Sequence, residues 1–135
     1  MDYLFDSCAL IAFLNDEPGA DKVASITEQA GDGTDRVFIS SVQALEVYYD
    51  RIYIKGLEYA NTFLENLYSS PIVVLHDISR EVIIEAGRFK TTYSMSLADA
   101  IACATAKSLG ATLVTKDEEL RVPEQAGEFT VLWLD

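Results

Sequence analysis

Four acidic residues are the strongest candidates for chemistry in this chain: Asp6, Glu46, Asp99 and Asp117. The sequence has one histidine and two cysteines that lie far apart, so it lacks the spacing of a zinc site or a disulfide framework. Carboxylates that are brought together are costly unless they are paired or bind a metal ion. If the fold gathers these acids at one place, they favour a metal site.

The elements that must position these acids alternate between strands and helices. Apolar runs predict strands at residues 3–5, 37–39, 72–75, 112–115 and 129–133, and the β-branched run at 72–75 is expected to be a buried strand. Helical spacing and composition predict helices at residues 9–14, 20–30, 41–55, 57–67, 79–89 and 96–109. Gly56 and Gly110 end two of them, and the pair at 41–67 is expected to form a helical hairpin.

Repeated strand-helix units predict a parallel sheet that helices cover on both faces. Ligands of such sheets bind at the carboxyl ends of the strands. Asp6 directly follows the first strand, and Asp117 lies just beyond the strand at 112–115. Asp99 is in the first turn of its helix and Glu46 is in the helix after the second strand, so all four are expected near one edge of the sheet.

Each acid also has a structural interpretation. Asp6 and Asp117 have the position of helix caps, and Ser96 with Asp99 has the spacing of a capping box. Glu46 is harder to explain in this way, because it belongs to a helical stripe whose other members are apolar or aromatic. Those other members are Val42, Leu45, Tyr49 and Tyr53.

Composition restricts the setting. The 135 residues fit a single domain, 1–135, and no apolar run or secretory signal indicates a membrane, so a cytoplasmic protein is expected. Cys8 and Cys103 are expected to be reduced core residues. The net charge of −12 should repel nucleic acid unless bound cations or a basic partner protein offset it.

Four segments together resemble the sequence blocks of PIN-domain ribonucleases, in particular the VapC-type toxins of toxin-antitoxin pairs. They occur in the same order and spacing as in that family, and the resemblance spans nearly the whole chain. Cys8 departs from the usual first block, D-[ST]-[SN]-A-L, at its third residue. The segments are Leu4-Phe5-Asp6-Ser7-Cys8-Ala9-Leu10, Ser40-Ser41-Val42-Gln43-Ala44-Leu45-Glu46-Val47, Ser96-Leu97-Ala98-Asp99-Ala100 and Leu113-Val114-Thr115-Lys116-Asp117.

The resemblance implies a three-layer α/β/α fold with a central, mainly parallel sheet of about five strands and an inserted helical hairpin. It implies that Asp6, Glu46, Asp99 and Asp117 are the catalytic acids and that they hold Mg²⁺ or Mn²⁺. Ser7 and Thr115 align with small hydroxyl residues beside those acids, where they would orient water or a carboxylate.

The implied activity is hydrolysis of RNA by a metal-dependent endoribonuclease, with a small antitoxin as partner and a homodimer as assembly. An aspartyl-nucleophile phosphatase would need a second Asp where Cys8 stands, and no P-loop sequence is present. The remaining alternative is a non-catalytic scaffold that binds protein or RNA. Scattered basic residues are expected mostly at the surface rather than on RNA: Arg88, Lys90, Lys107 and Lys116.

Overall fold

The computed structural model describes residues 1–134 and contains one sheet of five parallel strands. The strand order is β3-β2-β1-β4-β5. This is the predicted three-layer α/β/α architecture, and the prediction of a mainly parallel sheet is confirmed. The strands are β1 Asp2–Phe5, β2 Arg36–Ser40, β3 Val73–Leu75, β4 Thr112–Thr115 and β5 Val131–Trp133.

Seven α-helices lie among the described residues, six of them at the predicted places. The seventh, α7, is a short helix that was not predicted from the sequence. A single 3₁₀ turn, Glu118–Leu120, joins β4 to α7. The helices are α1 Ser7–Leu14, α2 Ala20–Gly31, α3 Ser41–Lys55, α4 Leu57–Ser69, α5 Arg80–Thr92, α6 Leu97–Leu109 and α7 Arg121–Gln125.

The helices pack on both faces of the sheet because successive strand residues point to opposite sides. Leu4 of β1 belongs to a core cluster with α5 and α6, whereas Phe5 belongs to a second cluster with helices α1 to α4. Helix α6 is rich in alanine and eight of its 13 residues are buried, so it lies close against the sheet. Gly110 ends it with φ of 64°, as the sequence predicted.

Helices α3 and α4 form the predicted hairpin, but the apolar stripe of α3 is not the face that packs on the core. The apolar stripe of α3 is largely at the surface: Leu45, Tyr49 and Tyr53 are all exposed. The buried side chains of the helix are Gln43, Ala44, Val47 and Arg51. Similarly, β3 was expected to be a buried strand, yet it is an edge strand whose Val73 is exposed.

The chain reverses its direction across the sheet between β1 and β4. From β1 the chain proceeds through β2 to β3 on one side, then returns to β4 and β5 on the other. Such a switch point leaves a crevice at the carboxyl ends of the two strands, which is where ligands of open α/β sheets bind. Asp6 and Asp117 follow these two strands. None of the helices within residues 1–134 has the length and hydropathy to span a membrane.

Candidate active site

Asp6 lies at the centre of the carboxyl edge and is almost completely buried, with 1% of its surface exposed. One carboxylate oxygen accepts a hydrogen bond of 3.0 Å from the Ala9 N–H and caps α1. The other accepts a short hydrogen bond from the Thr115 hydroxyl. Desolvation nevertheless raises the pKa of Asp6 from 3.8 to about 7, and the charges of Asp99 and Asp117 add to this shift. Capping alone therefore does not account for Asp6.

Thr115 connects the first acid to the last. It is fully buried at the end of β4, and its hydroxyl donates to Asp6 while accepting from the Asp117 N–H at 3.0 Å. The register of the sheet makes this contact natural, since Phe5 pairs with Val114 and the next residues along both strands lie side by side. Thr115 thus orients the Asp6 carboxylate directly.

Asp99 and Asp117 meet beside Asp6, and Glu119 joins them. One carboxylate oxygen from each of the three lies within 4.8 Å of the others. Desolvation, together with the charges of Asp117 and Glu46, raises the pKa of Asp99 to about 6. The Ser96 hydroxyl caps α6 by accepting from the Asp99 N–H at 3.1 Å. The predicted cap exists, but it leaves the Asp99 carboxylate facing other acids.

Glu46 extends this group from α3. Its side chain is half-buried, and desolvation raises its pKa, although a hydrogen bond with the Ser7 side chain opposes the shift. Its charge contributes to the raised pKa of Asp99, and its hydrogen bond with Ser7 places it beside the residue that follows Asp6. Charge interactions and hydrogen bonds therefore link the four predicted acids, although the apolar stripe of α3 that contains Glu46 is mostly exposed.

Two further residues of this region were not predicted from the sequence. Glu119 lies two residues after Asp117 in the 3₁₀ turn, and the run of acids at 117–119 is the only signal for it. Gln43 is fully buried one helical turn before Glu46, and its carboxamide bonds to backbone groups of two other segments. No spacing in the sequence indicates those bonds.

The two cysteines do not provide a nucleophile. Cys103 is buried in α6, as predicted, and desolvation raises its pKa. Cys8 is only half-buried rather than a core residue. Desolvation and the charge of Asp6 raise the pKa of the Cys8 thiol to about 12, so it stays protonated near neutral pH.

The basic side chains that are candidates for phosphate contacts form ion pairs or hydrogen bonds within the protein. Arg88 and Lys107 both bind Glu128, with N···O distances of 2.8 Å. Lys116 pairs with Glu17 at 2.7 Å. The amine of Lys90 donates to a backbone carbonyl, that of Met95, at 2.7 Å. These contacts agree with the expectation that the four basic residues lie mostly at the surface.

The donor set at this edge fits a hard divalent cation. Several carboxylates present oxygen atoms, and no histidine or thiolate is among the grouped ligand atoms of the described residues. Oxygen donors of this kind suit Mg²⁺ or Mn²⁺. The pKa values of Asp6 and Asp99 are both raised because each carboxylate is desolvated and lies near other negative charges. The ionised form of such a carboxylate is unfavourable without a compensating positive charge.

Comparison with known proteins agrees with this geometry. The sequence model of the PIN domain matches residues 3–124. No curated protein sequence matches the chain significantly.

Solved structures share the fold. VapBC2 of Rickettsia felis, solved bound to a DNA fragment from its promoter, aligns over 100% of both chains with a TM-score of 0.76 and 19% identity. DNA-bound VapBC of Salmonella typhimurium aligns over 100% of this chain and 99% of the other, with a TM-score of 0.75 and 18% identity. VapC20 of Mycobacterium tuberculosis, described as a sarcin-ricin loop cleaving toxin, aligns over 96% and 97% with a TM-score of 0.68 and 13% identity. At these identities the likeness concerns the fold.

Proposed function

The chain belongs to the PIN domain family, and from that premise we propose that it is a metal-dependent endoribonuclease of the cytoplasm, the toxin of a toxin-antitoxin pair. The observation that carries this proposal is the convergence of the acids at the switch point of the sheet. Oxygens of Asp99, Asp117 and Glu119 lie within 4.8 Å of one another, and the charges of Asp99 and Asp117 influence the buried Asp6. Structural likeness to VapC20, whose description names an RNA substrate, favours RNA as the polymer that is cut.

In this proposal Asp6, Glu46, Asp99 and Asp117 hold Mg²⁺ or Mn²⁺, and Glu119 adds a fifth carboxylate from the edge of the site. A bound divalent cation supplies an activated water for in-line attack on phosphorus and neutralises charge on the phosphoryl oxygens. Thr115 fixes the Asp6 carboxylate, and the Ser7 side chain interacts with that of Glu46. The exposed position of Glu119 lets solvent and a phosphate reach the acids from that side.

The decisive experiment compares RNA cleavage by the wild type and Asp6→Asn in Mg²⁺, Mn²⁺ and EDTA, with folding followed by circular dichroism. Asn keeps the oxygen that caps α1 but removes the charge, so a folded and inactive variant is expected. Asp32→Asn, at the exposed end of α2, is the matched control and should cleave normally. Equal cleavage by Asp6→Asn and the wild type would exclude the carboxylate mechanism. Absence of any metal-dependent cleavage by the wild type would favour a scaffold.

The antitoxin partner rests on a separate feature, an apolar groove of about 510 Å³ between α1, α2 and α4. Its lining includes Leu10, Phe13, Leu14, Phe63 and Leu67. We propose that an apolar antitoxin segment packs here and that basic residues of the same partner bind the acidic surface, given the net charge of −12.

This partner proposal can be tested by co-expression with a candidate antitoxin, a small protein that carries an apolar segment and basic residues. Phe13→Asp, within the groove, should prevent co-purification. Val122→Asp, at an exposed apolar residue of α7 outside the groove, should not. Loss of the complex in both variants, or in neither, would contradict this location.

We also propose that the chain forms a homodimer through the exposed stripe of α3. Leu45, Tyr49 and Tyr53 stand one turn apart on that helix, and two copies could cover each other's stripe. Light scattering should give twice the chain mass for the wild type and a monomer for Tyr49→Glu. A monomeric wild type would refute the proposal.

A further inference from the structure

Gln43 is a polar side chain without any exposed surface, placed between the segments that carry three of the acids. Its Oε1 accepts a hydrogen bond of 2.7 Å from the Ser7 N–H. Its Nε2 donates a hydrogen bond of 2.9 Å to the Ala98 carbonyl. These partners lie 36 and 55 residues away in sequence. The side chain therefore joins the starts of α1, α3 and α6 at one point.

Each of the three joined segments presents an acid within one helical turn of the contact. Ser7 directly follows Asp6, and Ala98 directly precedes Asp99. Gln43 itself precedes Glu46 by three residues, which puts the two on neighbouring positions of the same helical surface. A shift of any one segment relative to the others would move an acid away from the group.

Only a neutral carboxamide of this length serves both contacts. It supplies an acceptor for the Ser7 N–H, which belongs to the first turn of α1 where backbone donors lack helical partners. It also supplies a donor for the Ala98 carbonyl. An aliphatic residue would fill the space without either bond, and a shorter amide would not span the two partners.

We propose that Gln43 is a positioning residue, which aligns Asp6, Glu46 and Asp99 for a divalent cation through its bonds to Ser7 and Ala98. This inference rests on the proposed function, because the acids must hold a metal for their alignment to matter. Because Gln43 has no exposed surface, we expect its effect to appear in metal affinity and turnover rather than in RNA binding. Partners of metal ligands typically change metal affinity by about 10–100-fold when they are removed.

The test uses Gln43→Met, which keeps the volume but loses both bonds, and Gln43→Asn, which stays polar but is too short. Val37→Ala is the matched control, since Val37 is a fully buried residue of β2 away from the carboxyl edge. Mn²⁺ binding is measured by titration calorimetry on protein shown to be folded by circular dichroism. RNA cleavage is measured in parallel at saturating Mn²⁺ to separate kcat from KM.

Both Gln43 variants are expected to bind Mn²⁺ at least about tenfold more weakly than the wild type. Their kcat should fall while KM for RNA stays within about twofold, and Val37→Ala should retain normal Mn²⁺ affinity whatever stability it loses. Wild-type affinity in both Gln43 variants would overturn the inference, as would an equal loss in Val37→Ala. If the wild type itself binds no Mn²⁺, the proposed function fails together with this inference. If the wild type binds and cleaves while Gln43→Met matches it, only this inference fails.

Discussion

Replacing Asp6 by Asn should make the metal-free protein more stable at pH 8, although it should abolish catalysis. The pKa of Asp6 is raised from 3.8 to about 7 by desolvation, with the charges of Asp99 and Asp117 as smaller contributions. A difference of about three pH units between the folded and unfolded chain corresponds to about 4 kcal/mol. Ionised Asp6 therefore lowers the free energy of unfolding by roughly that amount at pH 8.

The Asn side chain removes this penalty at a small cost. Its oxygen can still accept from the Ala9 N–H and cap α1, because Asn and Asp are similar as capping residues. The Thr115 hydroxyl loses the acceptor that the second Asp6 oxygen provides, which costs about 1 kcal/mol. The expected net gain is about 3 kcal/mol, or about 10 °C in Tm for a domain of this size.

The sign of the pH dependence follows from the raised pKa. A carboxyl group whose pKa is higher in the folded chain stabilises the protein fully below its unfolded pKa of 3.8, and this stabilisation is lost as pH rises towards about 7. The wild type should therefore regain about 2 kcal/mol between pH 7 and pH 5 from this group. The advantage of Asp6→Asn should be clear at pH 8 and almost absent at pH 5.

Urea unfolding in EDTA at pH 5 and pH 8, followed by the fluorescence of the single tryptophan, Trp133, measures both differences. Asp32→Asn should change the free energy of unfolding by less than about 0.5 kcal/mol at either pH. Saturating Mg²⁺ should stabilise the wild type more than Asp6→Asn, because only the wild type retains the buried ligand. If the variant is no more stable than the wild type at pH 8, or if its advantage is the same at pH 5, the desolvation argument is wrong.

Three further substitutions test other parts of the structure. Glu119→Gln should weaken Mn²⁺ binding severalfold in calorimetry without lowering Tm, because Glu119 is exposed, whereas Glu65→Gln on α4 should leave binding unchanged. Glu128→Gln should lower the free energy of unfolding by about 1–2 kcal/mol at pH 7, because Arg88 and Lys107 hold the pKa of Glu128 well below its usual range. The difference in stability between this variant and the wild type should shrink as pH falls below about 4. Gly19→Ala should lower the free energy of unfolding by about 1–3 kcal/mol, since φ is +99° and a Cβ atom would lie 2.4 Å from the Leu134 carbonyl oxygen. Gly33→Ala, where φ is +79° and the space around a Cβ atom is open, should lower it less.

The convergence of the acids could be predicted because it follows from the topology of the sheet. Asp6 and Asp117 come directly after strands that a parallel α/β fold must place side by side, and the residues at the two strand ends prove to be hydrogen-bonded through Thr115. The helix that begins after Ser96 has the cap expected from its sequence. These features depend on local composition and on a general rule of parallel sheets, so one sequence is sufficient to find them.

The orientation of α3 could not be predicted because the helix has two candidate faces. Its apolar stripe, with Leu45, Tyr49 and Tyr53, has the spacing of a core-facing surface but is exposed. The buried face instead contains Gln43 and Arg51, whose polar groups are bonded to other segments. Helical periodicity identifies a stripe, but it does not distinguish a surface that packs on the same chain from one left for a partner.

Gln43 and Glu119 escaped prediction for different reasons. Gln43 bonds to backbone atoms of Ser7 and Ala98. Because every residue has these backbone atoms, the sequence does not indicate which ones a side chain will contact. Glu119 stands in an acidic run of an acidic chain, where one more carboxylate is not informative. Only the path of the 3₁₀ turn after Asp117 brings its oxygen beside those of Asp99 and Asp117.

The acidity of the chain and the proposed need for a metal have a common physical cause. Arg88, Lys107 and Lys116 are engaged by carboxylates of the protein, so these three side chains offer little free positive charge to a phosphate. The same edge keeps Asp6 and Asp99 in places where their ionised forms are unfavourable. A divalent cation would remove both obstacles at once, because it compensates the buried carboxylates and provides the positive charge that an RNA phosphate requires. The net charge of −12 should therefore oppose RNA binding by the metal-free protein and favour cation binding at the site, so in the proposed function we expect metal to be required for substrate binding as well as for catalysis.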